Sequence, residues 1–194
     1  MKDATKQRGR RLLRPLVRLL AAAGVAPNAV TLAALPLAVA AAWFFGTGRF
    51  IWGGAMAALV GLCDTLDGEL SRTTGRGSSR GALLDSLIDR LGESLTLGGV
   101  AWFYAALNRL HVLLALAALV FSFLVSYVRA RAEGLGYDCR VGWFERPVRV
   151  LLLLLGAFVL GRTWMPVALA IIAAGSLATV LHRLVHVLKQ GGVR

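Results

Sequence analysis

The chain has 194 residues, 57% of them hydrophobic, with a mean hydropathy of +0.68 and a net charge of +12. So many long apolar runs exclude an ordinary soluble domain and imply an all-α integral membrane protein, a single domain over 1–194 without internal repeats or a low-complexity linker. The charge does not point to nucleic acid, because no stacking platform or base-reading motif accompanies it.

In chain order, the first predicted element is an amphipathic helix over about residues 7–22. Arg10, Arg11, Arg14 and Arg18 alternate there with Leu12, Leu13, Leu16, Val17, Leu19 and Leu20. Such a helix lies in the membrane interface with its basic face at anionic headgroups. The basic N-terminus leads into a span rather than to a signal cleavage site.

Pro27 and Asn28 then open a six-helix core over 29–189. The length a bilayer demands gives six transmembrane helices, at roughly 29–47, 50–73, 79–107, 110–134, 145–161 and 164–189. Spans two to four exceed that length, so their ends should project into water. With six spans, only Arg49, Arg109 and Arg162 among the 22 Lys and Arg residues fall in the odd-numbered loops. The positive-inside rule therefore places both termini and the loop after the second span on the cytosolic side of the cell membrane. Trp52 and Trp164 stand at the opposite ends of their spans, as interfacial anchors do.

The second and third spans hold the informative residues, in DTLDGELSRTTGRGSSRGALLDSLIDR. Asp64, Asp67, Gly68, Ser71 and Arg72 share one helix face by steps of three and four, and Gly81, Asp85 and Asp89 share a face of the next helix. The stretch TTGRGSS between them is a turn signal. A hairpin there sets two carboxylate pairs face to face. Six of the ten acidic residues lie between Asp64 and Glu93. Intramembrane carboxylates are costly and mark functional cavities, and hard divalent cations suit their oxygen ligands. The bland alternative pairs Asp64 with Arg72, or Asp89 with Arg90. It accounts for one or two acids and leaves the others unneutralised. Glu69 and Glu93 are assigned supporting or solvated roles. Cys63 and Cys139 fit no metal or redox spacing and are read as packing residues. His182 and His186 form no metal-ligand set and are read as interfacial.

These residues match D-x2-D-G-x2-A-R-x8-G-x3-D-x3-D at seven of its eight fixed positions, with Ser71 in place of Ala. The chain thereby resembles the CDP-alcohol phosphatidyltransferases. Pro27-Asn28 with Thr31 resembles the family segment that opens the first membrane helix. Ser126-Tyr127, Arg129, Arg131 and Glu133, followed by Glu145, Arg146 and Arg149, resemble the acceptor region of members that use inositol phosphate. Ser86 and Arg90 in LLDSLIDR fit the same branch.

The resemblance implies a homodimeric transferase that uses two divalent cations, Mg²⁺ or Mn²⁺, and moves a phosphatidyl group from CDP-diacylglycerol to a water-soluble phosphorylated alcohol, releasing CMP. By similarity Asp64, Asp67, Asp85 and Asp89 hold the metals, and Asp89 is also the candidate base. Gly68, Ser71, Arg72 and Gly81, with Asn28 and Thr31, would receive the CDP-lipid; a plain N-cap role is the competing reading of Asn28. Arg129, Arg131, Arg146, Arg149 and Arg183 would bind the acceptor phosphate through the guanidinium fork, although positive-inside placement explains any one of them. Inositol 1-phosphate is the preferred acceptor and glycerol 3-phosphate the runner-up. Direct attack is favoured over an enzyme-bound intermediate, because no Ser or His nucleophile stands beside the aspartates. A cation or proton transporter is the alternative from another class, but it predicts inverted repeats and broken helices that the sequence lacks. An inactive anchoring homologue would tolerate loss of an aspartate, and none is lost.

Overall fold

The computed structural model describes residues 13–190. Every regular element among them is helical: α1 over 13–22, α2 (Pro27–Gly46), α3 (Phe50–Thr74), α4 (Ser79–Ala105), α5 (Arg109–Gly134), α6 (Arg146–Leu155) continued by a π-helical stretch (Gly156–Leu160), and α7 (Gly161–Lys189). Of the amphipathic helix expected over 7–22, residues 7–12 lie outside the described ones. The remainder is helical, with Val17 buried against Val30, Leu66 and Leu70 while Arg14 and Arg18 are exposed.

Length and hydropathy mark four stretches as candidate membrane spans: α2, α3, α5 and the helical run Arg146–Lys189. Two of the six expected spans do not stand out by themselves on this measure. Helix α4 falls outside the four because Arg80, Asp85, Asp89, Arg90 and Glu93 crowd its first half. The run of 44 residues from Arg146 is not one rod. At about 1.5 Å per residue it would measure about twice the thickness of a bilayer core. Gly161 breaks it with φ 62° and ψ −171°, a conformation that a helix cannot continue. A Cβ on Gly156 would lie 2.7 Å from the Met165 sulfur, and the Phe144 backbone N–H donates to Thr179 Oγ1 at 3.2 Å. The chain therefore folds back at Gly161, and α6 runs antiparallel to α7.

The main core sits at the end of the bundle away from the aspartates. Phe45, Phe50, Phe103 and Tyr104 stack there edge to face, beside Met165, Leu169 and Ile172. Helices α2 and α4 meet through small residues: a Cβ on Gly99 would approach the Ala42 carbonyl oxygen to 2.3 Å. Such contacts let helices associate closely where lipid gives little hydrophobic drive. Closer to the aspartates, Ala34, Ala38, Val60 and Ile88 lock α2, α3 and α4 together.

Two terminal signals form the hairpin between α3 and α4. Gly75, at φ 65°, ends α3 in the left-handed conformation, and the Ser78 side chain accepts from the Gly81 N–H at 3.0 Å to cap α4. The turn at 75–78 sets the inner half of α3 beside the first half of α4.

Candidate active site

Asp64, Asp67 and Asp85 each offer a carboxylate oxygen within 4.8 Å of the others. Asp67 is buried, and Asp64 and Asp85 are half-buried. The Thr31 hydroxyl donates to Asp67 Oδ2 at 2.6 Å, which ties the start of α2 to the cluster and fixes one carboxylate. Three close, oxygen-only, anionic donors fit a hard divalent cation, and like charges this close repel without one.

Asp89 does not join the three. Its Oδ2 receives Arg146 Nη1 at 2.7 Å, and the same nitrogen lies 2.9 Å from Asp64 Oδ2. One guanidinium thus bridges α3 and α4 from the first turn of α6. The bland pairings of Asp64 with Arg72 and of Asp89 with Arg90 are not formed. Arg72 pairs with Glu69 at 2.8 Å and Arg90 with Glu93 at 3.3 Å. Arg146 and Arg149 both sit in the first turn of α6, where the helix dipole disfavours cations. Carboxylates compensate each: Asp64 and Asp89 for Arg146, Glu93 for Arg149.

Of the predicted CDP-lipid residues, Thr31 contacts the cluster, and the others neighbour it along α2, α3 and the start of α4. A Cβ on Gly81 would stand 2.9 Å from Asn28 Oδ1, and one on Gly68 would stand 3.6 Å from the Arg72 guanidinium. Any side chain at Gly81 would press on Asn28. Ser71 lies against the hairpin, its hydroxyl 3.1 Å from where a Cβ on Gly77 would be.

A cavity of about 930 Å³ opens beside the aspartates, between α3, α4, α5, α6 and α7. Asp64 and Asp89 lie on one wall, Ser126, Tyr127 and Arg129 on another, and Arg146, Arg149 and Arg183 close it. Four of the five predicted acceptor arginines are therefore brought together. The fifth, Arg131, is exposed and is not part of the wall. The four differ in freedom. Arg129 pairs with Glu133 at 2.9 Å near the surface. Arg149 is 2% exposed and spoken for: two of its nitrogens donate to Glu93 at 2.8 and 3.1 Å and the third to the Phe144 carbonyl at 2.9 Å. Arg183, equally buried, donates to the Val141 and Val125 carbonyls and so holds the α5–α6 loop to α5.

Sequence reasoning did not identify the bridge made by Arg146. It allowed Glu93 to support a metal ligand or Arg90, and the Arg90 pairing forms, but it missed the pairing with Arg149. The clue to Glu93 was present, since it continues the Asp85–Asp89 row by four.

The sequence profile of CDP-alcohol phosphatidyltransferases matches residues 24–186, and the chain belongs to that family of enzymes. It is 36% identical to the phosphatidylinositol phosphate synthase of Mycolicibacterium smegmatis, over 92% of this chain and 84% of that protein. It is 35% identical to the archaetidylinositol phosphate synthase of Methanothermobacter thermautotrophicus, over 81% of this chain and 80% of that one. Among solved structures, that of Mycobacterium tuberculosis phosphatidylinositol phosphate synthase with CDP-DAG bound superposes with a TM-score of 0.83 at 33% identity, covering 91% of this chain and 94% of the other. The same enzyme in complex with manganese and citrate gives 0.82, at 33% identity and with 90% and 88% covered.

Proposed function

We propose that this chain transfers the phosphatidyl group of CDP-diacylglycerol to inositol 1-phosphate, releasing CMP. The observation that carries this reading is the contact between a three-aspartate cluster and an arginine-walled cavity of about 930 Å³. One supplies a place for a charged diphosphate and the other a place for a phosphorylated acceptor. Relatives and a solved neighbour named phosphatidylinositol phosphate synthase support the choice of acceptor.

Asp64, Asp67, Asp85 and Asp89 would hold two divalent cations, Mg²⁺ or Mn²⁺, which supply charge neutralisation for the diphosphate and the departing CMP. Thr31 holds Asp67 in place. Asn28, Gly68, Ser71, Arg72 and Gly81 border the space for the cytidine and diphosphate. Arg129, Arg146 and Arg183 would orient the acceptor phosphate, with Arg149 fixing α6 beneath them. Arg131 would act from outside the wall, drawing the anion toward the cavity. An acceptor hydroxyl oxygen then attacks the lipid-side phosphorus. The new P–O bond forms as the bond to the bridging diphosphate oxygen breaks, CMP leaves with that electron pair, and Asp89 takes the hydroxyl proton.

The enzyme would cross the cell membrane six times, as α2 to α5, α6 with its π stretch, and α7, with α1 in the interface. Both termini and the site would face the cytosol, and two chains would assemble as a homodimer. The distribution of Lys and Arg supports the orientation, and the family resemblance supports the dimer.

The test is product identification by mass spectrometry after incubating purified protein in lipid vesicles with CDP-diacylglycerol and Mg²⁺ or Mn²⁺. Inositol 1-phosphate, glycerol 3-phosphate, free inositol and serine are offered separately. Phosphatidylinositol phosphate from the first alone supports the assignment; phosphatidylglycerophosphate from the second alone would replace the acceptor.

A further inference from the structure

Arg146 Nη1 lies 2.9 Å from Asp64 Oδ2 and 2.7 Å from Asp89 Oδ2, and its Nε finds no hydrogen-bond partner among the described residues. The same side chain lines the cavity that holds Arg129 and Arg183. Asp64 belongs to the three-carboxylate cluster, whereas Asp89 stands outside it. One guanidinium therefore holds two carboxylates while lining a cavity with room for another anion.

We propose that Arg146 competes with divalent cations for Asp64 and Asp89, so that an acceptor phosphate entering the cavity strengthens cation binding by drawing Arg146 away. The inference rests on the reading that these aspartates take divalent cations and that the cavity takes a phosphorylated acceptor. Its basis is charge and geometry. A carboxylate oxygen that receives a guanidinium at 2.7 Å is less available to a cation, because both positive charges seek the same lone pairs. A phosphate offers Arg146 a bidentate partner that two separate carboxylates do not. Whatever loosens the bridge releases Asp89, the carboxylate assigned to accept the hydroxyl proton. Binding free energies are reciprocal, so cation loading must equally strengthen acceptor binding. Without the acceptor the site is held partly closed to the second cation, which limits idle cleavage of the CDP-lipid.

The partial arrangement of the other arginines singles out Arg146 for this role. Arg149 is engaged through all three nitrogens by Glu93 and the Phe144 carbonyl, and Arg183 is anchored through Nε and Nη1 by two backbone carbonyls. Arg129 pairs with Glu133, on its own helix. Among the five arginines that line the cavity, Arg146 alone forms an ion pair with the aspartates.

The experiment is a Mn²⁺ titration of the purified full chain in lipid nanodiscs, followed by electron paramagnetic resonance of free Mn²⁺ and corrected for Mn²⁺ bound by inositol 1-phosphate in buffer. Arg146→Gln should lower the Mn²⁺ Kd about tenfold or more, within the usual range of coupling between sites. Inositol 1-phosphate should tighten Mn²⁺ binding to the wild type and leave Arg146→Gln unchanged. Arg129→Gln removes the same charge from the same cavity and should move the Kd by about twofold at most, because charge alone acts weakly through a screened opening. Equal tightening in both variants, or none in Arg146→Gln, overturns the proposal while leaving the cation reading intact. No Mn²⁺ bound by any of the proteins overturns both. The wild-type arm needs no substitution, so a variant that fails to fold leaves it decisive: unchanged Mn²⁺ affinity on adding inositol 1-phosphate overturns the coupling.

Discussion

Arg149 on α6 and Glu93 on α4 form a two-point pair, Nε to Oε1 at 2.8 Å and Nη2 to Oε2 at 3.1 Å, with the arginine 2% exposed. Arg149 stands one turn after Arg146, so this pair fixes the helix that carries the bridge to the aspartates. Glu93→Ala would leave a guanidinium buried without its anion, a loss of about 3–5 kcal/mol. Thermal unfolding in nanodiscs should show a marked fall in midpoint. Replacing both partners, Glu93→Leu with Arg149→Leu, should recover part of it, since only the less buried Arg90 then lacks its carboxylate. A double variant no more stable than Glu93→Ala would show that the pair is not what holds α6.

Thr31 reaches Asp67 across from α2 at 2.6 Å. Removing a partner that orients a metal ligand commonly costs 10–100-fold in metal affinity. Thr31→Val should therefore weaken Mn²⁺ binding by about tenfold, and Thr31→Ser should keep it. Equal affinity in wild type and Thr31→Val would reduce Thr31 to its other contact, the bond to the Pro27 carbonyl.

Gly99 and Gly98 are neighbours with opposite tolerances. A Cβ at Gly99 meets the Ala42 backbone, whereas one at Gly98 meets nothing within 4 Å. Gly99→Val should cost about 1–3 kcal/mol or more through overpacking between α2 and α4. Gly98→Ala should be neutral or stabilising, because alanine suits a helix interior better. Equal melting temperatures for the two variants would contradict the close helix contact.

Cys139 lies buried in the loop after α5, and burial pushes its thiol above the ordinary value of 9.0. The thiolate is the reactive form. Alkylation by a maleimide near neutral pH should therefore be slow at Cys139 in the folded protein and fast after unfolding. Rapid labelling of the folded chain, mapped to Cys139 by mass spectrometry, would place that loop in the open.

Much of this was legible in the sequence because apolar runs and turn residues are local signals. The stretch expected at 50–73 is α3 at Phe50–Thr74, and the one expected at 110–134 is α5 at Arg109–Gly134. The convergence of Asp64, Asp67 and Asp85 follows from helical spacing and a short hairpin, both readable from residues alone. The partners of Asp89 were not readable. Arg146 is 57 positions away from it, and only tertiary packing decides which of several arginines arrives. The exclusion of Arg131 was within reach: two residues apart on a helix, Arg129 and Arg131 point to different faces. Grouping them by charge hid that difference. Membrane hydropathy also sets α4 apart from its neighbours, because its charged first half holds two of the aspartates.

The most direct measurement of the central claim is CMP release from CDP-diacylglycerol by the wild-type chain and by Asp89→Asn, with Mg²⁺ or Mn²⁺, with and without inositol 1-phosphate. Release that requires inositol 1-phosphate and falls by at least about a hundredfold in Asp89→Asn is the predicted result, since a positioned base contributes about 10²–10⁴-fold. No acceptor-dependent release from folded wild-type protein, or full release from Asp89→Asn, would contradict it.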